Sequence, residues 1–273
     1  MYNDYYGLQQ EPFNITPDPR FIYFTEQHQE ALNHLLYGIR ERKGFTCLTG
    51  EVGAGKTTLC RALLESLGET CHTALILNPM LTETQLLRAV IDELGIQTKR
   101  RDRLGYLHLL NEYLLKVNVA GQDVVMIIDE AQDMPNKTLE MMRLLSNLET
   151  HSQKLLQIVL VGQPELRERL AKPKLRQLAQ RITVRYHLRA MTPEDTREYI
   201  CHRLRIAGQD PNGDRAIVFD PGAIHEIFRY SRGTPRLVNA IGDKALLAGY
   251  VHGTRRINKY LVRAAVRELR EAA

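Results

Sequence analysis

Apolar residues recur in two alternating patterns along the first two thirds of the chain. Short apolar runs typical of strands alternate with stretches in which apolar residues return every three or four positions, as in amphipathic helices. The predicted strands are 45–49, 73–77, 124–128, 158–161 and 182–188. Continuous runs such as Val124–Ile128 suit strands buried on both faces. Strands alternating with helices predict an α/β fold with a parallel five-stranded sheet flanked by helices.

The pattern changes after Leu188, where strand signals stop. The predicted helices there are 193–206, 221–230, 235–250 and 258–269. The first three have a proline in the first turn, where its missing N–H costs little. Thr192 and Asp220 precede two of these prolines as N-caps. We therefore predict an α/β domain over residues 1–190, with a lead-in and first helix at 1–43, and an all-helical lid domain over 191–273.

A glycine-rich segment lies between the first of these strands and a helix predicted from about Lys56 to Leu67. Gly50-Glu51-Val52-Gly53-Ala54-Gly55-Lys56-Thr57 fits the pattern G-x-x-x-x-G-K-[ST] of a P-loop, the Walker A motif. Glycines let successive backbone N–H groups point at a phosphate chain, and the start of the next helix adds partial positive charge. We expect Lys56 to reach the β- and γ-phosphates of ATP and the Thr57 hydroxyl to bind Mg²⁺. Thr58 completes the predicted nucleotide-binding set.

Two carboxylates follow the buried run Val124–Ile128. Ligands of open α/β sheets bind at the carboxyl ends of strands, which is where Asp129 and Glu130 stand. Asp129 is predicted to hold Mg²⁺ and Glu130 to polarise the attacking water, as in a Walker B motif. An Asp-Glu pair also occurs as a simple cap of the following segment. A P-loop in the same chain favours the catalytic interpretation.

Two more segments fit positions that are occupied in AAA+ ATPases. Gln163 follows the apolar run ending at Val161, where these proteins carry sensor 1. Its amide can donate and accept hydrogen bonds, which suits positioning a water, although Asn or Thr is commoner there. Arg232-Gly233-Thr234-Pro235-Arg236 resembles sensor 2, in which an arginine at a helix start, here Arg236, folds over the phosphates.

Arginines also precede the last predicted strand, where AAA+ proteins keep an arginine finger that enters a neighbouring subunit's site. A guanidinium supplied in trans stabilises charge on the transferred phosphoryl group. Arg181 is favoured over Arg176 as the arginine finger because it directly precedes the strand predicted over 182–188. Each of these arginines, like Arg236, also has an ordinary interpretation as a solvated surface charge. A finger implies a homo-oligomer.

Particular segments, some of which overlap these motifs, carry a family resemblance that runs almost end to end. They are Tyr5-Tyr6-Gly7-Leu8, Pro12-Phe13, Thr16-Pro17-Asp18-Pro19-Arg20, Gln27-His28-Gln29-Glu30-Ala31-Leu32, Leu36-Tyr37-Gly38-Ile39, Gly50-Glu51-Val52-Gly53, Ile128-Asp129-Glu130-Ala131-Gln132, Leu144-Leu145-Ser146-Asn147-Leu148-Glu149 and Val161-Gly162-Gln163-Pro164-Glu165-Leu166. The chain resembles the general secretion pathway protein A (ExeA/GspA) ATPases of the AAA+ class, including short members linked to MSHA-type pilus biogenesis.

The resemblance implies an ATPase that works as a ring or stacked oligomer and drives or regulates assembly of a secretion or pilus/export machinery. Long members join this module to a membrane anchor and a peptidoglycan-binding region, and they help to install the outer-membrane secretin. We therefore expect either a short soluble member or the ATPase part of a longer protein. The implied partner is a secretion or pilus assembly protein.

Composition and charge leave two competing functions open. With 44% hydrophobic and 25% charged residues, the 273-residue chain is not disordered, collagenous or a coiled coil. A net charge of +5 permits a nucleic-acid-associated AAA+ ATPase, such as a transposition target selector or an initiator, for which steeply salt-dependent DNA binding would be diagnostic. A non-hydrolysing nucleotide switch would assemble with ATP but release little phosphate.

The location is predicted from what the sequence lacks. Its four cysteines form no CxxC pair, which indicates reduced thiols. The N-terminus has no signal-peptide pattern, and no apolar run reaches the roughly 18 residues of a membrane span. We predict a cytoplasmic protein, or the cytoplasmic or peripherally attached part of an inner-membrane assembly.

Overall fold

A computed structural model describes residues 2–14, 19–21, 23–151 and 153–271. Contacts group the chain into two compact units. We call Glu26–Gly50 and Leu59–Leu188 the sheet unit, and Met1–Thr25, Glu51–Thr58 and Arg189–Ala273 the helical unit. Among the described residues, no helix combines the length and apolar character needed to cross a membrane.

The sheet unit is built on five parallel strands. They are β1 Phe45–Gly50, β2 Cys71–Ile76, β3 Asp123–Ile128, β4 Gln157–Gly162 and β5 Ile182–Leu188, in the spatial order β2-β3-β4-β1-β5. Every residue of β1 and β4 is buried, whereas burial varies along the edge strands β2 and β5. Helices that cover both faces of the central strands account for this pattern. The predicted five-stranded parallel sheet is confirmed.

Helices precede, connect and follow these strands. Those in the described residues are α1 Tyr2–Tyr6, α2 Glu26–Arg40, α3 Lys56–Leu67, α4 Glu83–Glu93, α5 Arg103–Val119, α6 Asn136–Leu145, α7 Pro164–Leu170, α8 Arg176–Arg181, α9 Pro193–Ile206, α10 Pro221–Ser231, α11 Pro235–Val251 and α12 Lys259–Glu271. Short 3-10 turns cover Pro19–Phe21, Ala131–Asp133 and Pro173–Leu175. The large core of the sheet unit lies between the sheet and apolar faces of α4, α5 and α6.

The helical unit contains a strand pair that the sequence did not predict. Its helices begin as expected: Thr192 accepts from the N–H of Asp195, and Asp220 accepts from that of Ala223. Two-residue strands, β6 Val218–Phe219 and β7 Arg256–Ile257, pair in parallel between these helices. The expectation of an all-helical domain was wrong at this point. Two residues are too few to show the alternation by which a strand is recognised.

The beginning of the chain packs into the helical unit, although the sequence grouped it with residues up to 190. Tyr6 and Phe13 are each 1% exposed in a core shared with α9, α10, α11 and α12. The buried guanidinium of Arg203 donates to the carbonyls of Pro12 (2.5 Å) and Asn14 (2.8 Å). This pairing joins positions about 190 residues apart, so no local pattern reveals it. Residues 15–18 and 22 of the predicted lead-in lie outside the described residues.

None of the four cysteines, all of which lie in the described residues, forms a disulfide bond. Burial raises the pKa of the Cys47 thiol to about 12 and that of Cys71 to about 11. Both side chains are therefore protonated near neutral pH, and a thiol reacts far less readily than a thiolate. Cys47 lies inside β1 as a small apolar core residue.

Tyr6→Phe tests the anchoring of the first helix. The Tyr6 hydroxyl donates to the carbonyls of Leu246 at 2.9 Å and Thr254 at 3.3 Å. We expect its loss to lower the free energy of unfolding by about 1 kcal/mol in urea denaturation. Tyr37→Phe is the control, because that ring is 52% exposed. Equal unfolding midpoints for the two variants would contradict the packing described here.

Candidate nucleotide site

Three predicted site segments leave the sheet at one edge. The central strands β3, β4 and β1 are neighbours and run parallel, so their carboxyl ends lie side by side. In the chain, Glu51 follows β1, Asp129 follows β3 and Gln163 follows β4. Backbone pairing of Thr49 with Gly162 fixes the ends of β1 and β4 at the same level. The fold thus brings the strand ends of all three motifs to the edge where α/β proteins bind ligands.

The P-loop folds back on itself around its lysine. Gly53 and Gly55 have φ angles of 76° and 98°, in the left-handed region. The N–H of Ala54 donates to the carbonyl of Glu51 at 3.1 Å. Lys56, 5% exposed, donates from its ammonium to the same carbonyl at 2.9 Å. The cation therefore lies over the loop backbone, at the first residue of α3.

The sensor 2 candidate lies against this loop. A Cβ atom built on Gly53 would be 2.7 Å from Cβ of Arg236 and 3.3 Å from Cγ2 of Thr234. Arg236 is the second residue of α11, and its side chain is exposed. The start of α11 and the P-loop thus approach so closely that a side chain at position 53 would collide with Arg236. The sequence context predicted that Arg236 folds over the phosphates, and that role stays a prediction.

Asp129 is a buried carboxylate at the end of β3. It is 3% exposed, and its own N–H donates to the carbonyl of Ile76 on β2 at 2.9 Å. Its Oδ1 accepts from the N–H of Glu130, also at 2.9 Å. A buried carboxylate is stable only where polar or cationic groups surround it. The backbone N–H of Glu130 is one such polar group.

Glu130 adopts a left-handed backbone conformation, with φ 51° and ψ 36°. For a residue with a Cβ atom this costs roughly 1–2 kcal/mol, and such strain is often found at functional sites. The carboxylate Oε2 accepts from Nε2 of Gln132 at 2.8 Å and from Nε2 of Gln163 at 3.2 Å. Two amides therefore hold the carboxylate that the sequence assigned to water activation.

Gln132 was missed as a site residue. The signal for it was its place in the run Asp129-Glu130-Ala131-Gln132, which the sequence analysis used only as a mark of resemblance. Besides its contact with Glu130, its Oε1 accepts from the backbone N–H of Gln163 at 2.9 Å. Such a contact between the ends of two strands depends on the tertiary fold.

The two finger candidates differ in their surroundings. The guanidinium of Arg181 donates to the carbonyl of Arg143 at 3.0 Å, to Oδ1 of Asn147 at 2.6 Å and to Oγ of Ser146. These groups end α6, where a cation also opposes the negative end of the helix dipole. Arg176 is exposed at the start of α8.

Taken unit by unit, the chemistry of these groups suits a phosphate chain and Mg²⁺. The P-loop carries left-handed glycines and a buried lysine at a helix start, which suits a phosphate chain. A threonine hydroxyl and a buried carboxylate, those of Thr57 and Asp129, are hard oxygen donors of the kind that Mg²⁺ prefers beside phosphates.

Comparison with solved structures and a family model identifies the class of fold. A model described as an AAA domain matches residues 39–170. Cdc6p from Pyrobaculum aerophilum aligns with a TM-score of 0.70 and 17% identity, covering 94% of this chain and 70% of that one. A Thermotoga maritima RuvB Holliday junction branch migration motor aligns with a TM-score of 0.57 and 19% identity, covering 88% of this chain and 69% of that one. Identities this low show the fold alone. The chain has the P-loop AAA+ fold, as predicted.

A protein with a similar sequence identifies the family within this fold class. General secretion pathway protein A from Aeromonas hydrophila is 46% identical over 259 residues. The match covers 94% of this chain and 46% of that protein, so the chain spans about half of its relative's length. The predicted resemblance is confirmed: along its length the chain is related to the general secretion pathway protein A (ExeA/GspA) ATPases.

Gly53→Ala tests the close approach of the P-loop and α11. We expect the dissociation constant for ATP with Mg²⁺ to rise at least tenfold in calorimetry, because the added methyl group displaces either the loop or Arg236. Gly68→Ala is the matched control: its φ is also left-handed, at 64°, but nothing lies within 4 Å of the added atom. Both variants carry a backbone strain of about 1–2 kcal/mol. Equal ATP affinities in the two would contradict the prediction.

Proposed function

We propose that the chain binds ATP with Mg²⁺ and hydrolyses it to ADP and phosphate. The observation that carries the proposal is the arrangement of Glu130, whose carboxylate is held by two amides at the edge of the sheet beside the buried Asp129. In this role Gly50 to Thr58 hold the phosphate chain, with Lys56 on the β- and γ-phosphates. Thr57 and Asp129 hold Mg²⁺, which neutralises charge on the phosphate oxygens.

The chemical step follows from these roles. Glu130 orients a water and accepts its proton as the water oxygen forms a bond to the γ-phosphorus and the bond to the ADP oxygen breaks. The amide of Gln163 contacts the Glu130 carboxylate and is suited to hold the same water. Arg236, beside the P-loop, stabilises negative charge on the departing phosphate. The intact carboxylate favours turnover over a non-hydrolysing switch.

We further propose that the ATPase drives or regulates assembly of a secretion or pilus/export machinery. The relationship to general secretion pathway protein A supports this role. In it the chain forms a homo-oligomer, contacts a secretion or pilus assembly protein, and works at the cytoplasmic face of the inner membrane. The nucleic-acid alternative is not favoured, because the structures of Drosophila ORC bound to DNA and Aeropyrum pernix ORC1 in complex with DNA match at 17% and 16% identity, which shows the fold alone.

Glu130→Gln tests hydrolysis. We expect kcat to fall at least a hundredfold in a phosphate-release assay, because an amide is not a general base. The dissociation constant for ATP should stay within about threefold of the wild-type value, since the phosphate-binding groups are unchanged. Lys56→Ala is the companion variant and should abolish binding itself. Hydrolysis by Glu130→Gln at the wild-type rate would falsify this assignment.

Mixing variants tests the finger in trans. Subunits carrying Arg181→Ala or Arg176→Ala are each mixed with Lys56→Ala subunits, which have an intact finger but no functional site. A finger contributes about 10³–10⁵ in kcat, so mixed interfaces should recover activity for the arginine that serves as the finger. Lys174→Ala, at another exposed cation on the same segment, should be active alone. No recovery at any mixing ratio for either arginine would exclude this segment as the finger.

A further inference from the structure

One side chain, Gln132, joins the water-activating carboxylate to the tip of β4. Its Nε2 donates to Oε2 of Glu130 at 2.8 Å, and its Oε1 accepts from the backbone N–H of Gln163 at 2.9 Å. Nε2 also donates to Oδ2 of Asp133 at 3.1 Å. The amide is therefore used at both ends, by carboxylates of the segment after β3 and by the residue after β4. Only one orientation of the amide satisfies both contacts, because a carboxylate accepts and an N–H donates.

We propose that Gln132 is a positioning residue that fixes the Glu130 carboxylate relative to Gln163. The inference rests on the proposed hydrolysis and adds a residue to it. Both amides, from Gln132 and Gln163, contact Oε2 of the carboxylate. In the proposed role the other oxygen, Oε1, accepts the proton of the attacking water. Gln132 itself touches neither water nor phosphate in this role.

The turn that carries Gln132 is itself held in place. The guanidinium of Arg169 on α7 donates to the carbonyl of Gln132, to that of Met134 at 2.7 Å and to Oδ1 of Asn136 at 2.6 Å. A planar guanidinium with several fixed donors suits this multiple contact. The backbone of Gln132 is thus tied to the helix that follows Gln163. The Gln132 amide extends from a fixed base.

The space between the Gln132 side chain and Gly162, the last residue of β4, is small. A Cβ atom built on Gly162 would lie 2.8 Å from Oε1 of Gln132 and 2.9 Å from Cδ2 of Leu166. The last residue of β4 therefore admits the glutamine because it has no side chain. Without the Gln132 amide, Glu130 would keep its left-handed backbone conformation, but its carboxylate would lose the donor Nε2 of Gln132 and keep that of Gln163. A misplacement of about 1 Å in a catalytic group can cost a hundredfold in rate.

Gln132→Ala is the first variant. We expect kcat to fall about ten- to a hundredfold, while KM and the calorimetric dissociation constant for ATP remain within twofold of wild type. Gln132→Glu, of equal length, keeps an acceptor for the Gln163 N–H but sets a second carboxylate against Glu130. It should be at least as slow. Gln97→Ala is the matched control at an exposed glutamine and should behave as wild type.

A double-mutant cycle separates positioning from a merely structural role. If Gln132 and Gln163 orient one carboxylate, the combined Gln132→Ala/Gln163→Ala variant should lose much less than the product of the single losses in kcat. Losses that multiply would overturn the shared role. Wild-type kcat in Gln132→Ala, or a change confined to KM, would also overturn it. Any of these outcomes refutes only the role of Gln132, provided that wild type hydrolyses ATP and Glu130→Gln does not. A wild type without turnover refutes the proposed function itself.

Discussion

Burial of the central strands on both faces is the constraint on which the rest of the structure depends. A strand enclosed between two layers of helices cannot expose its backbone, so it must pair on both sides, and the connecting helices make the pairing parallel. β1, β3 and β4 meet this condition with side chains that are almost entirely buried. The carboxyl ends of these three strands therefore lie side by side at one edge of the sheet.

Local patterns were sufficient for a large part of this architecture. The helix after the P-loop begins at Lys56 and ends at Leu67, as predicted, because glycine punctuation before it and apolar periodicity within it are both local. Thr192 and Asp220 cap their helices for the same reason. Asp129 and Glu130 follow a run that is recognisable from its composition. Where a few neighbouring residues decide the structure, the sequence can be interpreted directly.

Contacts between distant segments account for what could not be predicted. The buried lead-in is bound through Arg203, and no periodicity near Phe13 or near α9 indicates the other segment. Gln132 is recognised as a site residue through its contact with the N–H of Gln163, which follows the end of β4. The contacts of Arg181 with the end of α6 likewise depend on how α6 and α8 pack. The assigned catalytic roles remain predictions that biochemistry can decide.

The contact between Lys56 and the carbonyl of Glu51 has a consequence for the entropy of binding. An ammonium carries three N–H donors, so one contact with a carbonyl does not have to break when another acceptor arrives. A lysine already folded against its own loop loses less side-chain freedom on taking up a further acceptor than an extended, mobile lysine would. The loop carbonyl therefore pre-organises the cation, and part of the cost of ordering its side chain is met when the protein folds.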